Sequence, residues 1–258
     1  GTMSSEVDLI VRQAQLRSRP AGQLVDIGIH QGAITAIEPN LAVKAAQEFD
    51  AQGGLVSESF VNTHLHLCKV YTLQMMDESA LKDYHGADMG KAMSAIELAA
   101  RVKENYAESW IIKNVRRAML DAARYGCTHI RAFADVDSKA RLEGVKALIR
   151  AREEFKGIID IQVVAFAQDG IAREPGAVEL MRQAMALGAD VAGGIPWIEY
   201  TDEDIRHHVQ FIFDLAVEYN KDVSMLVDDA GDPGLRSLEL MALETIRTGW
   251  QGRSLAHH

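Results

Sequence analysis

Cysteine is nearly absent from this chain, with Cys68 and Cys127 the two thiols in 258 residues. Two thiols cannot build a disulfide framework, and their scarcity suits a reducing compartment, so the expected location is cytoplasmic. Excess basic charge is missing as well. Lys and Arg number 27 against 37 Asp and Glu, a formal net charge of -10, and no local Lys/Arg cluster offsets that balance. Such a surface repels a phosphate backbone, so no nucleic-acid partner is expected. No uninterrupted apolar run approaches the ~20 residues of a membrane span, and the N-terminus lacks the basic-then-apolar pattern of a secretory signal; no membrane partner is expected either. No candidate strand is followed by Gly-x-Gly-x-x-Gly or Gly-x-x-x-x-Gly-Lys-Ser/Thr, which disfavours a doubly wound nucleotide-binding domain.

What is present is a chain with 48% hydrophobic residues, enough to bury a sizeable core in one or two domains. Residues 1–58 are strand-rich: 7–12 alternates, 24–37 reads as two short strands around Gln31-Gly32, and 49–54 reads as another turn. That pattern predicts a small antiparallel β domain. From residue 59 onward the pattern changes. Apolar residues at three- and four-residue spacing predict helices over 107–125, 139–155, 176–187, 202–219 and 235–248. Between them lie short β-branched runs at 128–133, 161–166, 190–195, 222–227 and 253–256. Alternating β and α units predict a parallel sheet, doubly wound or closed into a barrel.

Ahead of this alternation stands Phe60-Val-Asn-Thr-His64-Leu-His66-Leu. Side chains alternate along a strand, so His64 and His66 share one face while Leu65 and Leu67 share the other. Two imidazoles on one face are half of a site for a divalent ion such as zinc or iron, or else the polar face of an ordinary strand. The stretch from Gly54 to Leu67 resembles the first barrel strand of the amidohydrolase superfamily, metal-dependent (β/α)8 barrels, and within it the cytosine deaminase-like branch. Val164–Gly170, Gly188–Pro196 and Gly252–His258 extend that resemblance in family order.

The resemblance implies an α/β fold, a (β/α)8 TIM-type barrel beside a small β-sandwich-like domain. Counting His64–Leu67 as the first strand, about six βα units are present, so two strands of a closed eight are expected from a longer chain. In such barrels function collects at the C-terminal ends of the strands. The implied metal ligands are His64 and His66, holding one divalent ion. Gln168, ending the third strand, falls at the position of a substrate-binding glutamine; its amide offers a donor and an acceptor to a lactam or pyrimidine edge. Lys69, directly after the metal strand, either faces substrate or is an ordinary solvated lysine. Trp197 either stacks on a planar ring or packs in the core. On the second strand, Arg131 either pairs with Asp135 or Asp137, the favoured expectation, or faces a substrate anion.

At the fifth strand, where relatives typically carry His-x-x-Glu, this chain reads Leu226-Val-Asp-Asp229. Leu226 cannot bind a metal, and Asp229 takes the acid/base position, with Asp228 as its competitor. His258 matches a histidine that contacts the metal or its water in relatives, and His207 and His208 are expected on a solvated helix face. The expected activity is metal-dependent hydrolysis of C–N bonds in a planar nitrogen heterocycle, by deamination or cyclic amide opening, with a small-molecule heterocycle as partner. A homo-oligomer is compatible with this reading. The competing expectation is a non-catalytic amidohydrolase-fold binding protein that lost metal chemistry along with the strand-five histidine.

Overall fold

The computed structural model describes residues 7–72, 100–227 and 236–257, and these fall into two compact units, Gly1–Ser59 and Phe60–His258. The first unit is a four-stranded sheet of β1 (Val7–Ala14), β2 (Val25–His30), β3 (Ala33–Glu38) and β4 (Ala45–Asp50), ordered β3-β2-β1-β4. Gln31 and Gly32 both take positive φ (49° and 76°), the two-residue turn geometry that matches strand twist and joins β2 to β3. The sheet departs from the expected antiparallel unit, because β4 pairs with β1 in parallel. Nearly every residue of β4 is exposed, so it carries no period-two apolar signal. Its backbone pairing and the Arg12–Glu48 ion pair (2.8 Å) hold it instead.

The second unit is a six-stranded sheet whose order is the order of the chain: β5 (Phe60–Leu65), β6 (Cys127–Asp135), β7 (Asp160–Ala167), β8 (Val191–Gly194), β9 (Asp222–Leu226) and β10 (Ser254–His257). Every neighbouring pair in it is parallel. The described helices between these strands are α1 (Glu108–Arg124), α2 (Glu143–Glu154), α3 (Ala177–Leu187), α4 (Asp202–Tyr219) and α5 (Ser237–Thr248). Alternation along each strand sorts side chains into two layers. Ala132, Ala134, Val163, Ala165, Val223 and Met225 pack outward against helix residues such as Ile111, Val115, Met119 and Leu148. Each fully buried large side chain there contributes about 1.5–3 kcal/mol. Phe133, Val164, Phe166, Val191 and Ile195 face the other way as a second cluster, joined by Leu226 and Trp197. The strand ends of this inner layer carry the candidate site.

Local chemistry fixes the helix boundaries. Thr201 Oγ1 accepts the Asp204 N–H at 3.0 Å and opens α4 at the expected residue. By contrast α2 starts four residues later than the periodicity predicts. Asp137 Oδ1 accepts the N–H groups of Lys139 (2.9 Å) and Ala140 (2.8 Å), and Arg141 has φ 56°, so a turn replaces the first helical residues. His208 also departs from expectation. While His207 is exposed, His208 is fully buried, its Nε2 accepting the Ile195 N–H (3.1 Å) and its Nδ1 donating to Glu199 Oε2 (2.7 Å). Those two bonds define a neutral imidazole with its proton on Nδ1. Glu199 also accepts the backbone N–H groups of Ile171, Ala172 and Arg173, tying the β7–α3 loop to the β8–α4 loop. Gly194 makes this possible, because a Cβ there would lie 2.3 Å from His208 Nε2.

Candidate metal and substrate site

At the C-terminal end of β5 the Nε2 atoms of His64 and His66 stand 3.1 Å apart. Leu65 packs on the helix side, and just beyond the strand Leu67 opens a 3-10 turn (Leu67–Lys69) and is fully buried there, so His64 at the strand end and His66 immediately after it bring their rings together. Asn62 Oδ1 accepts the His64 N–H (3.1 Å) where the β5–β6 register shifts. Phe133 forms a floor beneath the rings, with centroids 4.3 Å from His64 and 5.4 Å from His66. Partial burial, and after it the neighbouring His66, pushes the His64 imidazole below its usual pKa and favours the neutral form that ligates metals.

The two nitrogens suit one divalent ion as two of its ligands, since nitrogens each about 2.0–2.1 Å from a shared ion can be this close. Among the described residues no group of three or more His, Cys, Asp or Glu side chains is arranged to hold an ion. Leu226 faces this region but packs with the inner apolar cluster. Asp229, its neighbour Asp228, and His258 lie outside the described residues. His257, which sequence reasoning passed over in favour of His258, pairs in register with Leu226, and its ring lies 5.1 Å from that of His64. Its Nε2 is hydrogen-bonded to Ser224 Oγ. That assignment depends on strand register, which the short stretch Arg253–Ala256 does not reveal.

Behind His66 lies Asp135, the last residue of β6, which is completely buried. Its Oδ2 is 2.9 Å from Lys69 Nζ and 3.2 Å from Lys103 Nζ, and its Oδ1 is 3.9 Å from His66 Nδ1. Burial alone would raise this carboxyl's pKa, but Lys69, the His66 ring and Lys103 outweigh it and hold it far below the usual carboxylate range. Lys103 also meets Asp137 (2.6 Å) and Asp169 (3.0 Å). Burial opposes its charge, yet Asp135, Asp137 and Asp169 together raise its pKa well above a free lysine's. Asp169 is shifted upward, by burial first and then by Asp137 and Asp135 against Lys103.

Lys69 and Gln168 come together as the sequence suggests: Lys69 Nζ donates to Gln168 Oε1 at 3.3 Å. Both line a cavity of about 600 Å³, with Lys103, Tyr106, Asp169 and Arg173 among its walls. Trp197 is not part of that lining. Its ring packs with the inner apolar cluster, and its buried Nε1 has no hydrogen-bond partner among the described residues. Arg131 does not pair with Asp135 or Asp137; it sits toward the opposite end of β6, where its Nε donates to Gln162 Oε1 at 2.7 Å. Asp135 lies four positions further along the strand, too far for contact.

Residues 47–258 match the profile of the family described as Amidohydrolase family. The chain belongs to that family. Similar proteins include an N-isopropylammelide isopropyl amidohydrolase of Pseudomonas sp. (strain ADP), 33% identical over 99% of this chain and 62% of its own length. Similar solved structures include 5-methylcytosine deaminase from Klebsiella pneumoniae liganded with phosphonocytosine (29% identity, TM-score 0.81, covering 96% of this chain and 58% of that one). Another is N-isopropylammelide isopropylaminohydrolase from Burkholderia multivorans ATCC 17616 (26% identity, TM-score 0.77, 97% and 60%). This amidohydrolase-family chain therefore spans about three fifths of the length of these relatives. Its six parallel strands form an arc consistent with the barrel of the family.

Proposed function

We propose that this chain forms the larger part of a metal-dependent hydrolase that removes an amine from a planar nitrogen heterocycle, within a (β/α)8 barrel. The observation that carries the reading is the convergence of the His64 and His66 Nε2 atoms, 3.1 Å apart, on the strand-end side that also presents Lys69. The names of the similar proteins, a 5-methylcytosine deaminase and N-isopropylammelide hydrolases, support loss of an exocyclic amine over ring opening. His64 and His66 hold the ion, which when bound supplies a Lewis acid able to activate water.

This chain's own residues supply the rest. Gln168 and Lys69 orient the ring by hydrogen bonds to its edge, and Phe133 closes the floor to bulk water. The water oxygen bonds to the ring carbon, the exocyclic C–N bond breaks, and one proton passes to the departing nitrogen. Asp229 is proposed to carry that proton, with Asp228 next in line; His258 is proposed as a further contact to the reacting water. Trp197, packed in the same inner cluster as Phe133, is proposed to bound the substrate from the floor side and not from the cavity wall. The test is metal content by elemental analysis together with turnover of 5-methylcytosine and N-isopropylammelide. About one equivalent of zinc or iron and amine release from either compound is expected. Protein that binds no metal and is indifferent to chelators would overturn the reading in favour of a non-catalytic binding protein.

A further inference from the structure

We infer that Lys103 is a positioning residue for the metal centre: its ammonium, enclosed by Asp135, Asp137 and Asp169, holds the Asp135 carboxylate behind the His66 ring so that Lys69 is free to leave that carboxylate for a substrate. The inference rests on the metal reading of His64 and His66. Asp135 has two cations within reach, and they differ in kind. Both line the cavity, but the Lys69 side chain is 36% exposed and already shares its ammonium with Gln168 Oε1, whereas the Lys103 side chain is 10% exposed and locked among three carboxylates. A fully buried carboxylate stripped of every cation is strongly disfavoured. With Lys69 alone, each movement of that side chain toward a ligand would strip Asp135. Lys103 removes the conflict.

The two oxygens of Asp135 divide the work. Oδ2 takes both lysines, while Oδ1 is the oxygen nearest His66 Nδ1 at 3.9 Å. Among the described residues neither Oδ1 nor His66 Nδ1, both buried, has a hydrogen-bond partner, while Oδ2 meets the two lysines as ion pairs only. A histidine that ligates through Nε2 carries its proton on Nδ1, and that N–H commonly points at a carboxylate, which fixes the ring. Here the unpartnered donor and the unpartnered acceptor face one another, and Lys103 anchors the acceptor from its other oxygen.

The experiment measures Co²⁺ affinity of the full apo chain by competition with a chelating dye. Asp135→Asn is expected to weaken Co²⁺ binding by about 10–100-fold. Lys103→Met is expected to weaken it by about tenfold, and Lys103→Met/Asp135→Asn no more than Asp135→Asn alone, because the lysine acts through the carboxylate. Lys69→Met should leave Co²⁺ affinity within about twofold. Multiplying effects in the double variant, an unchanged affinity in Lys103→Met, or an equal loss in Lys69→Met would each overturn the inference. If Lys103→Met fails to fold, Lys103→Met/Asp169→Asn, which removes one acid with the base, replaces it in the same comparison. Wild-type protein that binds no Co²⁺ would overturn the metal reading itself, whereas wild-type binding with unaltered variants overturns only the role of Lys103.

Discussion

Replacing Glu199 with Gln should destabilise the Phe60–His258 unit by about 4–6 kcal/mol at neutral pH, a loss worked from its four partners. The Glu199 side chain is fully buried and its pKa is held down at about 2. Burial opposes ionisation, but the His208 hydrogen bond and the backbone N–H groups of Ile171 and Arg173 outweigh it. Relative to the ordinary 4.5, a shift of that size corresponds to about 3 kcal/mol of preference for the ionised form in the folded state. The Gln amide keeps one acceptor oxygen but places an NH2 against a donor, adding about 1–3 kcal/mol for the unsatisfied group. The sign of the pH dependence follows. A depressed carboxyl contributes stability above its unfolded pKa and loses it as pH falls through the folded value, so wild-type stability should drop between pH 4.5 and about 2. His208, lowered chiefly by burial, adds a loss that begins as pH falls below 6.5. Urea denaturation followed by circular dichroism from about pH 8 to about pH 2 measures both. A Glu199→Gln variant within about 1 kcal/mol of wild type at pH 7.5, or one with an identical pH profile, would refute the reasoning.

Gly194→Ala should cost about 1–3 kcal/mol in the same assay, because the new methyl meets His208 Nε2; an unchanged midpoint would show that α4 yields easily. Lys69→Met and Gln168→Ala should each raise KM for a turned-over heterocycle by about tenfold or more, as expected for lost hydrogen bonds to the ring edge. An unchanged KM in both would move the substrate elsewhere. Leu226→His should tighten Co²⁺ binding while lowering stability by about 1–3 kcal/mol, since a polar ring replaces Leu226 in the cluster with Phe133 and Phe166. Calorimetric titration with Co²⁺ reads the affinity and urea denaturation the stability; a weaker metal affinity would show that the side chain does not reach the ion.

Much of the fold was legible because βα alternation is written in periodicity. The strand containing Phe133 and the helix containing Ile111 and Met119 stand out from local spacing alone. Where the sequence misled, a side chain had overridden the pattern. Asp137 captured the first N–H groups of a helix, and β4 formed with no buried face to announce it. At the site, His64 and His66 were visible because they stand two residues apart at the end of one strand. The Asp135–Lys103 contact was not, since 32 positions of chain separate residues that meet only once β6 is in place. His208 was hidden for a different reason: its neighbour His207 is solvated, and a pair of adjacent histidines on a helix gives no hint which one turns inward to Glu199.

The larger sheet runs β5 through β10 in unbroken chain order, and this has a kinetic meaning. From β6 on, successive strands begin roughly thirty residues apart, so each new pairing closes a loop of nearly constant, modest length. Every strand after β5 docks on the one just synthesised, with no need to wait for a distant partner. Assembly can therefore advance in the direction of translation, each βα unit templating the next as it leaves the ribosome. The exception is the step from β5 to β6, whose starts are about twice as far apart. The strand that leads into the two histidines is the first of this sheet to be made, yet its own pairing spans the longest loop, and the metal-binding face should mature only after that longest closure.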